Sequence, residues 1–309
     1  VKFLHKGGDA ADPQKYRPIS LTGIDYRCLG KIIAIRLTEI LASLVHHSQT
    51  ASIPGRNIVD NVALLQSLRE FARVRGIKEG LFLFIDFRRA YDLVNRHFLD
   101  RVLETFGFGP AFRDLVKLLN NGATAAICVN GFTSTSYRLT KGLRQGCCAS
   151  MALFVLYIES LGCYLRAAGL AGFPMPRVSS DAKCVSVFFA DDATLTLIGL
   201  GAMRQALRLI QRFCEASGAR LNTGKSKALW VGTDPPPAAH EVADMKDVKW
   251  IHLTGQPNRS LGMLWGASVE TVWEDMTTKI LNSAITWNRR GMGLRGRILI
   301  AKQIEPSGL

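Results

Sequence analysis

Apolar residues run through positions 81–87, LFLFIDF, with one aspartate, Asp86, as the only interruption. A continuous apolar run of this length predicts a strand that is buried on both faces of a sheet. After the run, apolar residues recur at helical spacing from Ala90 to Phe106 and then meet Gly107, which predicts one helix that ends there. Asp86 therefore stands where a buried strand gives way to a loop and a helix.

The remainder of the chain alternates between helical and strand patterns. We expect helices over 111–121 and 202–217, and a buried helix through 151–168 that Ser150 caps. Hairpins are predicted around Asn130-Gly131, around the apolar runs of 186–197, and over roughly 249–265. A strand over 227–232 and helices near 269–289 and 293–304 complete the prediction. Mixed strands with helices on one side predict an α+β sheet domain followed by a helical piece.

The charge balance indicates a polyanionic partner. Lys and Arg number 39 against 25 Asp and Glu, a net charge of +14, and 48% of the residues are hydrophobic. Such an excess favours nucleic acid through counterion release, although a basic soluble protein has the same balance. The 7 cysteines include no Cys-x-x-Cys pair, which predicts a reduced intracellular compartment without a zinc knuckle. No run of about 20 apolar residues is found, so we expect no membrane span.

Two adjacent aspartates interrupt the apolar stretch SVFFADDATLTL at residues 186–197. At a turn, the carboxylates of Asp191 and Asp192 can reach one space, where they cannot both stay ionised without a proton or a cation. Apolar neighbours increase the cost of the charge. An oxygen-preferring divalent ion, most simply Mg²⁺, offsets that cost. A solvated turn tip is the alternative, because adjacent aspartates are common.

Asp86 strengthens the metal interpretation. Placed beside the tip of the 186–197 hairpin, its carboxylate would complete three oxygen ligands around a two-metal site for phosphoryl transfer. Asp92, one helical turn further on, is the rival for this position. The sequence alone does not bring Asp86 and Asp191 together, so their proximity is a prediction.

Several motifs occur in the order that is typical of one protein family. They are YRPISL (16–21), FIDFRRAYDLVNR (84–96), GLRQGCCAS (142–150), FFADDATL (188–195), GARLNTGKSKALWVG (218–232), SLGMLWG (260–266) and WNRRGMGLRGRILIAK (287–302). Together they resemble the fingers motif, motifs A to E and the start of the thumb of the reverse transcriptase domain of non-LTR, LINE-type retrotransposons. The resemblance covers nearly the whole chain.

The resemblance implies a role for each matching residue. Asp86, Asp191 and Asp192, with the backbone carbonyl of Phe87, would bind metal, and Lys225 would protonate the leaving pyrophosphate, with Lys227 as its competitor. The substrate-binding residues would be Arg17 and Lys6 at the triphosphate, Tyr91 as a steric gate against the ribose 2′-hydroxyl, Gln145 and Gly146 beside the nascent base pair, and Leu261 and Gly262 near the primer terminus. For Tyr91 the alternative is a core aromatic residue.

The resemblance also implies a right-hand polymerase fold: fingers over 1–80, a palm over 81–266 with a fingers insertion at about 110–140, and the beginning of a thumb over 267–309. The implied function is RNA-directed DNA synthesis from deoxynucleotides on an RNA template with a DNA primer, in the nucleus, with two Mg²⁺ ions or Mn²⁺. The alternatives are a cellular or intron-encoded reverse transcriptase, and a catalytically degenerate fold that serves as an RNA-binding scaffold. The sequence does not indicate an oligomeric state.

Overall fold

The computed structural model describes residues 1–7, 9–175, 178–179, 181–245, 248–251, 258–261 and 263–265, and the positions 274, 277–278, 281–282 and 285. The chain divides into two compact units, Val1–Trp250 and Ile251–Leu309. The first unit contains the central sheet and the helices that pack on it.

A five-stranded sheet is the centre of the first unit. Its strands lie in the order β10-β11-β3-β12-β13. Their bounds are β3 Gly80–Ile85, β10 Ser186–Phe189, β11 Asp192–Ile198, β12 Lys227–Trp230 and β13 Lys249–Trp250. Every residue of β3 is buried, which confirms the prediction of a strand covered on both faces. All the pairings are antiparallel except β12 with β13, so the sheet is mixed rather than wholly antiparallel.

Helices pack against this sheet. The principal helices are α1 Ile24–Leu44, α2 Ile58–Arg75, α4 Arg96–Thr105, α5 Pro110–Asn120, α6 Cys148–Ala167 and α7 Leu200–Ser217. Alternate residues of β3 (Leu81, Leu83 and Ile85) join one continuous apolar core with residues of α1, α4, α6 and α7. The α+β prediction is therefore confirmed.

The described part of the first unit also contains short two-stranded sheets. β1 (Lys2–His5) pairs with β2 (Tyr16–Ile19), and β4 (Thr124–Ala125) pairs with β7 (Tyr137–Arg138). β5 (Cys128–Val129) pairs with β6 (Phe132–Thr133) around Asn130 and Gly131, both at positive φ, which confirms that predicted turn. β8 (Phe173–Pro174) pairs with β9 (Lys183–Cys184).

Two predicted helix boundaries are wrong. The helix expected from Ala90 to Phe106 is broken into α3 (Ala90–Leu93) and α4, because the side chain of Asn95 accepts hydrogen bonds from the amides of His97 and Phe98 and starts a new helix. Ser150 does not cap α6. This helix already begins at Cys148, so Ser150 lies buried inside its first turn.

The predicted hairpin over 249–265 is also wrong in its first half. Lys249–Trp250 forms β13, which extends the central sheet parallel to β12. Only β14 (Asn258–Ser260) and β15 (Met263–Trp265), in the second unit, form a hairpin. The helices predicted near 269–289 and 293–304 lie outside the described residues, apart from the single positions given above.

Helix α6 is long and apolar enough to cross a membrane, contrary to the expectation that no segment would be. Its most apolar window is 72% buried inside the protein, where it packs against α1, α4 and α7. Such burial is typical of a core helix, as its apolar character on all sides predicted.

Arg56 ties together the loop that follows α1. Its guanidinium group donates four hydrogen bonds of 2.7–3.1 Å to the backbone carbonyls of Ala42, Val45, His46 and Gln49. The same loop runs beside β10, where Gln49 forms a bridge with Phe188. One side chain thus holds the segment that supports the hairpin bearing Asp191 and Asp192.

We expect Arg56→Met to lower the free energy of unfolding by about 3 kcal/mol, because hydrogen bonds to a charged donor contribute about 1.5–3 kcal/mol each and are not additive. Urea unfolding followed by circular dichroism measures the change. Arg73→Met removes an exposed ion pair with Glu70 and should leave the midpoint unchanged. Equal unfolding midpoints for Arg56→Met and wild type would contradict the role of Arg56.

Candidate active site

The pairing of β3 with β11 brings the separated aspartates together. Ala193 pairs with Ile85 in an antiparallel register, so the next position along each strand places Asp192 beside Asp86. Asp191 is the residue before β11, in the turn that connects it to β10. The predicted proximity of Asp86 to the aspartate pair is therefore a consequence of sheet register.

The turn that carries Asp191 has a special backbone conformation. Ala190 adopts φ +53°, a left-handed conformation that non-glycine residues rarely adopt. The buried side chain of Gln49 supports it, because its Oε1 accepts a hydrogen bond of 3.1 Å from the Ala190 amide. The side-chain amide of Asn61 donates a hydrogen bond to the carbonyl of Phe188, 2.8 Å away. The tip is thus held from the core side.

The carboxylates at this tip repel each other in a partly desolvated site. Burial, together with the charges of Asp191 and Asp86, raises the pKa of Asp192 from 3.8 to about 6. Burial also raises the pKa of Asp191, where Asp86 adds to the shift and the positive charges of Arg17 and Lys6 oppose it. The positive charges of Arg17 and Lys6, the predicted triphosphate-binding residues, are therefore near enough to Asp191 to influence the pKa of its carboxyl group.

Asp86 is held from the side opposite β11. Asn222 donates from Nδ2 to Asp86 Oδ2 over 2.6 Å, and its amide donates to the Asp86 carbonyl over 2.8 Å. The hydroxyl of Ser226 accepts a hydrogen bond of 3.3 Å from the Asp86 amide. These contacts fix both the backbone and the carboxylate of Asp86 against the 222–226 turn.

The donor set suits a hard divalent ion, although it is not converged. Among the described residues, no three His, Cys, Asp or Glu side chains lie close enough together to hold a metal ion in this conformation. The oxygens available are those of three neighbouring carboxylates and the carbonyl of Phe87. Phe87 and Leu221 form an isolated antiparallel bridge, whose hydrogen bonds are made by the flanking residues Asp86 and Arg88. The carbonyl of Phe87 therefore points away from Leu221. Oxygen ligands and unrelieved negative charge fit Mg²⁺ or Mn²⁺.

Tyr91 packs between the core and the aspartates. Its ring stacks on Phe154 with 4.4 Å between centroids, and its hydroxyl lies 2.9 Å from the sulfur of Met151. Burial raises the pKa of Tyr91, and the charge of Asp191 raises it further. The ring is only partly buried. Tyr91 therefore contacts the core and also lies beside the carboxylates. Its role as a steric gate and its role as a core aromatic residue both stay predictions.

Asp92 and the 142–147 segment form a neighbouring group. Gln145 donates from Nε2 to Asp92 Oδ1 over 3.1 Å, and the carbonyl of Gln145 accepts from the amide of Ser20 over 2.8 Å. Gly146 has φ +104°, and a Cβ there would lie 2.9 Å from the carbonyl oxygen of Ser20. Only glycine fits this approach. Burial raises the pKa of Asp92, and the hydrogen bond from Gln145 and the charges of Arg89 and Lys6 oppose this shift.

The remaining predicted residues fall in two places. Lys225 is exposed in the 222–226 turn, and its amide donates to the carbonyl of Asn222, 3.0 Å away. Leu261 is buried at φ +53° in the turn between β14 and β15, within the second unit. Gly262 lies outside the described residues.

Sequence reasoning missed Gln49 and Asn222. Gln49 lies in the stretch QTASIPGR and Asn222 in GARLNTGKSK, and both are polar residues that contact the carboxylate-bearing segments only through the fold. The available signal for Asn222 was its place three residues before Lys225, inside a motif already assigned to the site.

The fold and the site define a palm-type α+β domain with clustered carboxylates at strand ends. The chain belongs to the reverse transcriptase (RNA-dependent DNA polymerase) family, whose family model matches residues 4–257. This match confirms the right-hand fold implied by the motifs. Reverse transcriptases use divalent metal ions.

The relatives are proteins of retrotransposons. The chain is 30% identical to a 149 kDa protein of transposon TX1 from Xenopus laevis, over 99% of this chain and 23% of that protein. It is 25% identical to the Pol polyprotein of a type-1 R2 retrotransposable element from Popillia japonica, over 74% of this chain and 31% of the polyprotein. Apo telomerase from Candida tropicalis, truncated from its C-terminal domain, superposes with a TM-score of 0.49 and 12% identity, over 68% of this chain and 41% of that one. The chain spans less than a third of the length of the TX1 protein and of the R2 polyprotein.

We expect Asp192→Asn to stabilise the metal-free protein. The folded protein raises the pKa of Asp192 from 3.8 to about 6, so wild type loses stability as the pH rises through this interval. The stability gained by the variant should be absent below pH 4 and should reach about 1 kcal/mol at pH 8. This value is small because the side chain of Asp192, although partly desolvated by its neighbours, keeps a solvent-accessible surface at which water screens much of the repulsion.

Urea unfolding in EDTA at pH 4 and pH 8 measures this difference. Asp114→Asn, at an exposed position on α5, is the matched control and should show no gain at either pH. A variant at position 192 that is equally or less stable than wild type at pH 8 would show that the carboxylates do not repel in the folded state.

Proposed function

We propose that this chain is an RNA-directed DNA polymerase domain that extends a primer 3′-hydroxyl with deoxynucleotides on an RNA template and releases pyrophosphate. The observation that carries the proposal is the register of β3 with β11, which places Asp86 beside the hairpin that bears Asp191 and Asp192. Family membership supports the same reaction.

In this proposal Asp86, Asp191 and Asp192 hold two Mg²⁺ ions, or Mn²⁺, with the carbonyl of Phe87 as a further oxygen ligand. The bound ions would lower the pKa of the primer hydroxyl and neutralise the charge that develops on the transferred phosphate. Asn222 keeps the carboxylate of Asp86 oriented through its hydrogen bond to Oδ2.

The basic residues act on the triphosphate. Arg17 and Lys6, whose charges already reach Asp191, bind its phosphate oxygens, a task for which the guanidinium fork is well suited. Lys225 donates a proton to the departing pyrophosphate from its exposed position in the 222–226 turn. Its place next to Asn222 ties it to the segment that also holds Asp86.

The template side is assigned to the 142–147 segment. Gln145 is fixed between Asp92 and Ser20, and Gly146 leaves the backbone open to close approach. Both residues would lie against the nascent base pair. Leu261 and Gly262 would contact the primer terminus, as the family resemblance implies.

Asp191→Asn should reduce primer extension on the order of 10³-fold, because one metal-binding carboxylate is lost while the volume is kept. Incorporation of a single deoxynucleotide on an RNA template with Mg²⁺ measures the rate. Asp114→Asn should extend at the wild-type rate.

RNA binding by the same proteins separates the two candidate functions. Equal RNA binding by wild type and Asp191→Asn, with no extension by either protein, would overturn the polymerase proposal in favour of a binding scaffold. Extension by wild type alone supports the polymerase.

Tyr91→Ala should reduce discrimination against ribonucleotides by about 10–100-fold, because the ring would no longer exclude the 2′-hydroxyl. Tyr91→Phe is the matched control: it keeps the ring and its stacking on Phe154 but loses the hydroxyl, so discrimination should persist. The ratio of kcat/KM for deoxynucleotide and ribonucleotide incorporation measures both. Unchanged discrimination in the alanine variant would leave Tyr91 as a core residue.

A further inference from the structure

A cleft of about 410 Å³ opens on the side of α7 that faces residues 219–223. Its apolar lining residues are Leu207, Cys214, Ala219, Leu221 and Met245, and its polar lining residues are Arg204, Arg208, Gln211, Arg220, Thr223 and Asp244. No residue proposed for the polymerase reaction lines it.

The cleft carries an excess of positive charge. Arg204 is paired with Asp244 over 2.8 Å, which neutralises both side chains. Arg208 and Arg220 are exposed, and no ion pair is recorded for either among the described residues. Arg212 lies one helical turn beyond Arg208 on the same helix and is also exposed. The unneutralised guanidinium groups are donors suited to phosphate oxygens.

The segment that walls the cleft also supports the active site. Leu221 lines the cleft, whereas the next residue, Asn222, directs its amide to Asp86. Asn222 does not line the cleft, so the cleft is separate from the Asp86 carboxylate that Asn222 holds. The backbone of Arg220 is joined to this strand by its carbonyl, which accepts from the amide of Arg88 over 2.8 Å.

We propose that this cleft binds a single-stranded segment of the template RNA outside the active site. Apolar side chains beside hydrogen-bonding groups can take an unstacked base, which can stack on a guanidinium plane, and Arg208 and Arg220 take the adjoining phosphates. A duplex would present its phosphates but not its bases, and would leave the apolar lining unused. The choice of RNA rests on the proposed function, and the net charge of +14 favours such a partner.

The test is a charge-matched comparison of RNA affinity. Fluorescence anisotropy with a labelled, unstructured RNA of about 30 nucleotides gives the Kd between 50 and 200 mM KCl. The double variant Arg208→Gln/Arg220→Gln should bind about tenfold more weakly, with a salt slope smaller by about 1.4, since each lost phosphate contact removes about 0.7 for a single strand. The control, Arg69→Gln/Arg75→Gln, removes two exposed charges from α2 and should change the Kd less than twofold.

Cys214 provides a direct reporter of occupancy, because it lines the cleft and is only partly buried. Alkylation of Cys214, followed by mass spectrometry, should be slowed by RNA in wild type but not in Arg208→Gln/Arg220→Gln. Duplex RNA of the same sequence should protect it less, because its bases are paired and stacked. Equal loss of affinity in the two double variants, or a Cys214 alkylation rate that RNA does not change, would overturn the proposal.

Extension of a short self-priming RNA hairpin separates this proposal from the polymerase proposal. Its template overhang of a few nucleotides occupies only the active site, so wild type and Arg208→Gln/Arg220→Gln should extend it equally. Failure of wild type to extend it would count against the polymerase and leave the binding result standing. Slower extension by the double variant alone would show that the cleft belongs to the active site, contrary to the proposal.

Discussion

The antiparallel pairing of β3 with β11 is the constraint on which the site depends. Six consecutive residue pairs fix its register, from Ala193 with Ile85 to Ile198 with Gly80. A slip by one residue would move every side chain of this fully buried strand to the opposite face, where the close packing is shaped for different side chains. Packing of the core therefore stabilises the register that places Asp86 beside Asp192, in spite of the charge repulsion at the strand ends.

Two supports hold the carboxylates in place around this pairing. Gln49 accepts from the amide of Ala190 and keeps the turn in its left-handed conformation, while Asn222 holds the carboxylate of Asp86. Both supports come from segments distant in the sequence, which lie outside the five strands and join them through isolated backbone bridges, Gln49 with Phe188 and Leu221 with Phe87. A site built on rigid strand ends and fixed by surrounding polar groups is well suited to a reaction that depends on positioning.

The sequence predicted the parts of this structure that local patterns control. The apolar run of β3, the turn at Asn130-Gly131 and the hairpin that bears Asp191 were all recognisable, and the ordered motifs identified the fold. What failed depended on single polar contacts or on pairing at a distance: the Asn95 cap that divides the helix after Asp86, and the recruitment of Lys249–Trp250 into the sheet as a parallel strand. The supports provided by Gln49 and Asn222 were missed for the same reason.

The most direct test of the central claim is the location of a divalent ion. Crystals of the protein soaked in Mn²⁺ should show an anomalous peak within about 2.1 Å of carboxylate oxygens from both Asp86 and Asp191. Such a peak would mean that the carboxylates, which do not form a ready ligand set without metal, converge on the ion. A soaked crystal with no peak between these two residues, and with Asp86 bonded only to Asn222, would contradict the account.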